Sequence, residues 1–305
     1  MGLRVPVVNA PMGGVAGGRL AAAVTSAGGL GMIGMGSAGS AAALREELRH
    51  TASLGGRFGI GLVKWVVDAD PELLDVAIAA APTLIAVSFG SDPSWIARVR
   101  DSGIRTATQV YNAAEARRAA DAGIDVLVAR GAEGGGHGAM EMATLPLLDA
   151  VLDAVSTPVL AAGGIGSPAS FAAALAAGAD GVWLGTRLAA CAESSLPEAG
   201  RRALIAAEGT DTVVTTAFDV AMRLPWPARF PARVLRNDFT ARWAGHEDAL
   251  DEQARAELAA AVAADDPRTA PIDAGQGVGA ITAVTPAAQV IDELCSGAAE
   301  LLARH

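Results

Sequence analysis

Lysine is nearly absent from this chain: Lys64 is the only one in 305 residues, so its cation chemistry is arginine chemistry. The net charge of −10, without any Lys/Arg stripe, argues against nucleic acid as a partner. Aromatic residues make up only 4%, so Ala, Val, Leu and Ile must build the core, and such small side chains suit helices packed on a sheet. The two cysteines, Cys191 and Cys295, stand at no metal or redox spacing. They read as reduced packing residues of a cytoplasmic protein, and no metal site is expected. No signal-peptide pattern is seen at the start: after Arg4 comes a short apolar run, Val5–Ala10, then Pro11. The Met-Gly opening lacks the Ser/Thr of a myristoylation signal, because Pro6 stands there. Leu20–Leu44 carries no charge but is broken by glycines, which predicts two buried elements joined by a turn and not a membrane span.

What the chain does have is alternation. Eight short apolar runs read as strands: Val5–Ala10, Leu30–Met35, Phe58–Trp65, Leu84–Phe89, Arg105–Val110, Val126–Arg130, Pro158–Ala162 and Gly181–Leu184. Helical patterns lie between them, near 17–27, 40–52, 70–80, 92–102, 113–122, 143–155 and 168–177. Continuously apolar strands separated by helices imply parallel pairing with both faces buried. Eight such units within about 190 residues fit an α/β (β/α)8 TIM barrel better than an open sheet. Ala119–Asp125 and Ala174–Asp180 each close a helix with glycine and enter a strand.

Beyond Thr186 the alternation is lost. Phe218, Trp226, Phe230, Phe239 and Trp243 fall there, with a charged helix Glu247–Ala264 and the proline-rich, arginine-studded Leu224–Asn237. This predicts a barrel of residues 1–192 plus 286–305 and a smaller substrate or cap domain, 193–285, inserted after the eighth strand. The closing helix is expected to start with Pro286 at its first position, capped by Thr285.

Barrel enzymes place their chemistry at the C-terminal strand ends. Here those ends read Asn9–Gly14, Gly34–Ser37, Gly61–Lys64, Ser88, Gln109, Gly134–His137, Ala162–Gly164 and Gly185–Thr186. Ionisable groups are scarce, which suits metal hydrolysis poorly and a flat cofactor with a phosphate tail well. The sixth end carries the strongest signal: His137 sits inside Gly134–Gly138, directly after a strand. Glycines admit close approach of a ligand, and imidazole exchanges protons near neutral pH. The backbone N–H groups of Gly163, Gly164, Gly185 and Thr186 follow strands seven and eight, where barrels commonly hold phosphate. Gly34–Gly39 matches G-x-G-x-x-G, but it follows the second strand, and no acidic residue for a ribose ends the next one.

Asn9–Gly13, Ala27–Gly31, Gly131-Ala132-Glu133 with Gly135-Gly136-His137, Pro158–Ile165 (PVLAAGGI), Ala176–Arg187 (AAGADGVWLGTR) and Pro231–Asn237 (PARVLRN) together resemble the nitronate monooxygenase (2-nitropropane dioxygenase) family. The resemblance covers nearly the whole chain. It implies an FMN-dependent TIM barrel, with the FMN phosphate on Gly163, Gly164, Gly185 and Thr186. The ring would pack near Pro11, Met12 and Gly13, beside Gln109 and Gly134–Gly136, with Gly61 and Ala162 at the mouth. It implies His137 as the base that removes the α-proton of a nitroalkane. A preformed nitronate needs no base, and O2 then yields a carbonyl compound and nitrite. The alternative on the same scaffold is an FMN-dependent reductase that takes hydride from NAD(P)H to a quinone or enoyl thioester. A barrel that has lost its flavin is a third reading. Expected partners are a small nitronate or nitroalkane and O2, with a homodimer compatible, and neither nucleic acid nor membrane.

Two positions depart from the family pattern: Gly61 stands where an asparagine is frequent, and Arg130 where a glutamine is. Arg130 is expected to pair with Glu133, or to bring positive charge near the flavin or an anionic substrate, or to reach solvent. His50, His246 and His305 read as surface residues. Trp226 and Phe230 read equally as cavity wall or proline-braced packing, and Gln276, among Gly275–Gly279, as reaching the flavin mouth.

Overall fold

The eight apolar runs form eight parallel strands, because side chains apolar on both faces need cover on both. The computed structural model describes residues 2–304; His305 lies outside the described residues. The barrel strands are β1 (Val7–Asn9), β2 (Met32–Met35), β3 (Gly59–Val63), β4 (Leu84–Ser88), β5 (Arg105–Val110), β6 (Val126–Arg130), β8 (Val159–Ala162) and β9 (Gly181–Leu184). Their order is β1-β9-β8-β6-β5-β4-β3-β2. Val8, Met32, Leu84, Ala86, Ala107, Val126, Val128, Leu160, Ala162 and Trp183 fill the interior. Alternate residues such as Val7, Ile33, Ile60, Ile85, Leu127, Val159 and Val182 face the surrounding helices. The seven helical patterns between the strands are all present.

β1 and β2 share only short backbone pairing, through Val7, Asn9 and Leu30. A side chain completes the closure. Asn9 is fully buried; its Nδ2 donates to the Met32 carbonyl (2.9 Å) and its Oδ1 accepts the Met32 N–H (2.6 Å). A primary amide presents the same donor and acceptor pair as a peptide group, so Asn9 acts as an extra rung of the ladder.

The two glycine-closed helices use one device. Gly123 (φ 88°) and Gly178 (φ 104°) turn in the left-handed region. The aspartate that follows each then binds the start of the preceding strand: Asp125 accepts from the Thr106 N–H (2.8 Å), Asp180 from that of Val159 (2.8 Å).

Three boundaries differ from expectation. The third strand stops at Val63, because Lys64–Ala69 coils into a helix in which Lys64 pairs with Asp68 one turn on (2.5 Å). The pattern over 40–52 divides into an α-helix, Ala41–Leu48, and a 3-10 turn, Arg49–Leu54. The closing helix runs Ala287–Leu302, with Pro286 as its N-cap and not its first residue. Thr285 does not cap it; Glu193 accepts the Ala287 N–H instead (3.0 Å). Leu20–Leu44 holds helix Gly18–Ser26, β2 and the start of the next helix. No helix among the described residues is long and apolar enough to cross a membrane.

After β9 the chain forms β10 (Thr212–Thr215) and β11 (Ala232–Leu235), an antiparallel pair flanked by short helices. The charged helix begins at Glu252 and ends at Ala263, preceded by a 3-10 turn over Glu247–Ala249. The third strand of this small sheet, β7, is Gly136–His137, donated by the barrel's glycine loop.

Replacing Asn9 with Leu leaves the Met32 N–H and C=O buried without partners. The expected cost is about 2–4 kcal/mol of unfolding free energy, read from the denaturant midpoint. A midpoint equal to that of the parent would remove Asn9 from barrel closure.

Candidate active site

The C-terminal strand ends surround a cavity of about 720 Å³. All fourteen residues expected at the site line it: Pro11, Met12, Gly13, Gly61, Gln109, Gly134, Gly135, Gly136, His137, Ala162, Gly163, Gly164, Gly185 and Thr186. The structure gives several of the glycines a second reason. A Cβ on Gly61 would lie 2.1 Å from Pro11 Cγ, and one on Gly34 2.3 Å from the Pro11 carbonyl carbon. A Cβ on Gly13 would lie 2.5 Å from Gly36 Cα. Loop Pro11–Gly13 is therefore laid directly across β2 and β3. The G-x-G of Gly34–Gly36 serves that chain contact, in a barrel and not a dinucleotide fold.

At the end of β8, Gly163 (φ 116°) and Gly164 (φ 66°) take backbone conformations that side chains resist. The N–H groups of Gly163, Gly164, Gly185 and Thr186 find no acceptor among the described residues, although all four residues line the cavity. The Thr186 hydroxyl oxygen accepts the Gly275 N–H (2.9 Å), which leaves its own O–H to donate.

His137 is fixed three ways. Its backbone pairs with Ala232 of β11. Its ring stacks on Trp226, with centroids 3.6 Å apart and planes 7° from parallel. Its Nε2 donates to the carboxylate of Asp219, 3.0 Å from both oxygens. Asp219 comes from helix Ala217–Met222, which follows β10, and its side chain is 8% exposed against 16% for His137. A carboxylate on one ring nitrogen fixes the tautomer and strengthens the other as a base. Among the described residues nothing bonds Nδ1, which is left to meet a ligand.

Arg130 neither pairs with Glu133 nor reaches solvent. It is 5% exposed, and its Nη2 donates to three consecutive carbonyls: Gly134 (2.9 Å), Gly135 (3.1 Å) and Gly136 (2.9 Å). Glu133 instead accepts from the Thr144 N–H (2.8 Å) and hydroxyl (2.7 Å). Burial lowers the Arg130 pKa, yet a guanidinium stays charged in any folded protein.

The aromatic residues divide. Trp226 lines the cavity, meets Phe89 edge-on at 4.9 Å and Trp65 at 5.6 Å, and donates to the Ser37 hydroxyl (3.0 Å). Phe230 is packing: it is buried with Tyr111 and Ala139, away from the cavity lining. Arg229 ties this segment to the barrel through Glu115 and Glu141. Gln276 is exposed and off the cavity, since the tight turn at Gly275–Gly277 sends its side chain outward. His50 and His246 are exposed as expected. Cys191 is in the core, where burial pushes its thiol up to about 12, while Cys295 is half-buried. Sequence reasoning missed Asp219 and Asp273, both at the cavity.

The nitronate monooxygenase family model matches residues 63–297. The chain belongs to the nitronate monooxygenase family. It is 32% identical to the nitronate monooxygenase of Paraburkholderia phytofirmans, covering 79% of this chain and 76% of that one. It is also 34% identical to a 5-hydroxy-7a-methyl-1-oxo-octahydro-1H-indene-4-carboxyl-CoA dehydrogenase of Rhodococcus jostii, covering 78% of this chain but 64% of that protein. Among solved structures, FabK from Thermotoga maritima matches with a TM-score of 0.87 at 30% identity, covering 99% of this chain and 95% of that one. Nitroalkane oxidase from Streptomyces ansochromogenes matches with 0.85 at 30% identity, covering 99% and 98%.

Replacing Arg130 with Met keeps the bulk but removes all three carbonyl contacts. Stability should fall by about 2–4 kcal/mol, and amide exchange should accelerate selectively over Gly134–Gly138. Unchanged exchange in that loop would contradict the role given to Arg130.

Proposed function

We propose that this chain is an FMN-dependent nitronate monooxygenase, converting alkyl nitronates, and nitroalkanes after proton removal, with O2 into carbonyl compounds and nitrite. One observation carries the reading: a histidine braced by a buried aspartate inside a cavity whose lining offers four N–H groups without an acceptor among the described residues. Those N–H groups fit a phosphate, since each lacks an acceptor and two stand on backbone no side chain would favour. The cavity volume suits a mononucleotide with room for a small substrate. Gly163, Gly164, Gly185 and Thr186 would hold the phosphate. Pro11–Gly13, Gly61, Gln109, Gly134–Gly136 and Ala162 would border the ring.

Bound flavin supplies the electron transfer and oxygen chemistry that no side chain here can. The residues do the rest. His137 Nδ1 takes the α-proton of a neutral nitroalkane, and Asp219 stabilises the imidazolium that forms. Trp226, stacked on the imidazole, holds the ring in plane and excludes water from one of its faces. Segment 193–285, the smaller domain proposed here, contributes Asp219 and Trp226 and so completes the site. A cytoplasmic location fits this reading.

The carboxyl-CoA dehydrogenase relative keeps an FMN-dependent NAD(P)H:quinone or enoyl reductase as the second reading. An anaerobic titration separates the two. Nitronate alone should bleach the oxidised flavin, and air should then release nitrite. Bleaching only by NADH or NADPH would overturn the proposal. His137→Ala should abolish turnover of neutral nitroalkane, a loss of about 10²–10⁴-fold, while sparing the anionic nitronate. Equal losses on both substrates would remove the general-base role.

A further inference from the structure

The cavity holds a second carboxyl group that the mechanism above does not use. Asp273 sits on the segment that packs over the glycine loop, joined to β11 by an isolated bridge with Val234. That packing is tight: a Cβ on Gly135 would lie 2.5 Å from Gly275 N. Asp273 Oδ2 lies 3.2 Å from the place a Gly136 Cβ would occupy, at the residue next to His137. Asp273 is exposed at the cavity wall, with protein packed around the cavity on every side of the opening it lines. No hydrogen bond or ion pair to any described residue holds its carboxyl group. A carboxyl at a cavity wall without a partner in its own chain is available to a ligand.

The charges around it are mixed. His137 and Arg130 draw Asp273 toward the ionised form, and the Asp219 carboxylate opposes that. Glu133 on the glycine loop and Arg233 on β11 complete the set. The protein packed around the cavity keeps bulk water from the group; this outweighs the fields and raises the pKa of Asp273 above the ordinary carboxylate value. A neutral carboxyl is a hydrogen-bond donor, whereas an ionised one is acceptor only.

We propose that Asp273 selects the charge of the substrate: protonated, it donates a hydrogen bond to an oxygen of the nitro or nitronate group, and ionised, it repels the anion. This deepens the nitronate reading above and rests on it. The group is distinct from His137, which acts on carbon-bound hydrogen. Asp273 touches the oxygen end, so a neutral nitroalkane tolerates either form of Asp273 and a nitronate only the protonated one.

Butanoate is a stable probe, because its carboxylate presents two oxygens on a planar centre as a nitronate does. Its affinity for the FMN-loaded protein is measured by calorimetry, which needs no turnover and so stands whether or not nitronate reduces the flavin. As the pH rises through the ionisation of Asp273, binding to the parent should weaken by about tenfold or more. Asp273→Asn stays neutral and should remove most of that loss. Parallel pH curves for the parent and Asp273→Asn, or a flat curve for the parent, would overturn the proposal. Should Asp273→Asn fail to fold, infrared titration of the parent decides. A neutral-carboxyl carbonyl band that disappears over the same pH range as butanoate affinity supports the proposal, and a mismatch between the two overturns it.

Discussion

The site depends on one buried guanidinium. Arg130 ends a barrel strand, and from there it gathers the carbonyls of Gly134, Gly135 and Gly136. A loop of three glycines has the largest conformational entropy to lose, so something must hold it. Three charge-assisted hydrogen bonds from one rigid fork do so, and the carbonyl dipoles in turn solvate a cation that has no carboxylate partner. With the loop fixed, Gly136 and His137 can pair as a strand with β11, and the small sheet is joined to the barrel at the catalytic position. A lysine, a point charge on a flexible stem, would not bridge three carbonyls from one nitrogen with the same rigidity.

The His137 ring is then oriented by groups remote in sequence. Asp219 is 82 residues away, and Trp226 lies on a segment held to the barrel by its own bond to Ser37 and by Arg229. Each contact alone is modest. Together they restrict ring position, tilt and tautomer, which is what a base needs to meet a carbon-bound proton at a fixed distance. Under the base role proposed for His137, the buried carboxylate would also balance the charge that proton transfer places on the imidazole, in surroundings where an uncompensated charge is costly.

The barrel was legible because its signal is local: apolar runs of four to eight residues, and glycine stops such as Gly123 and Gly178 at helix ends. His137 was legible for the same reason, a histidine among glycines at a strand end. Asp219 and Asp273 were not, since neither carries a motif and both reach the cavity through pairing between β11 and segments far apart in the chain. Arg130 was visible as a departure from the family pattern, but its role depends on three backbone oxygens, and backbone direction is not written in side-chain identity. Thr285 failed as a cap because a carboxylate from Glu193, 94 residues away in sequence, already occupied the N–H it would have served.

Glycine density, the feature that first marks this site, has two physical origins that the sequence does not separate. At Gly13, Gly34, Gly61 and Gly135 a Cβ would strike other parts of the chain at 2.5 Å or less. Those glycines exist so that loops can cross strands, and they would be required with or without a ligand. At Gly185 the nearest atoms to a Cβ are 3.7 Å away, and at Gly14 there are none within 4 Å. Packing does not require glycine at Gly185. Its N–H, like those of Gly163, Gly164 and Thr186, has no acceptor among the described residues and fits the anion proposed above. The groups that lack acceptors and the glycines that lack room line one cavity. The first fit a phosphate, and the second set how closely loop Pro11–Gly13 and the glycine loop approach the space where the reaction would occur.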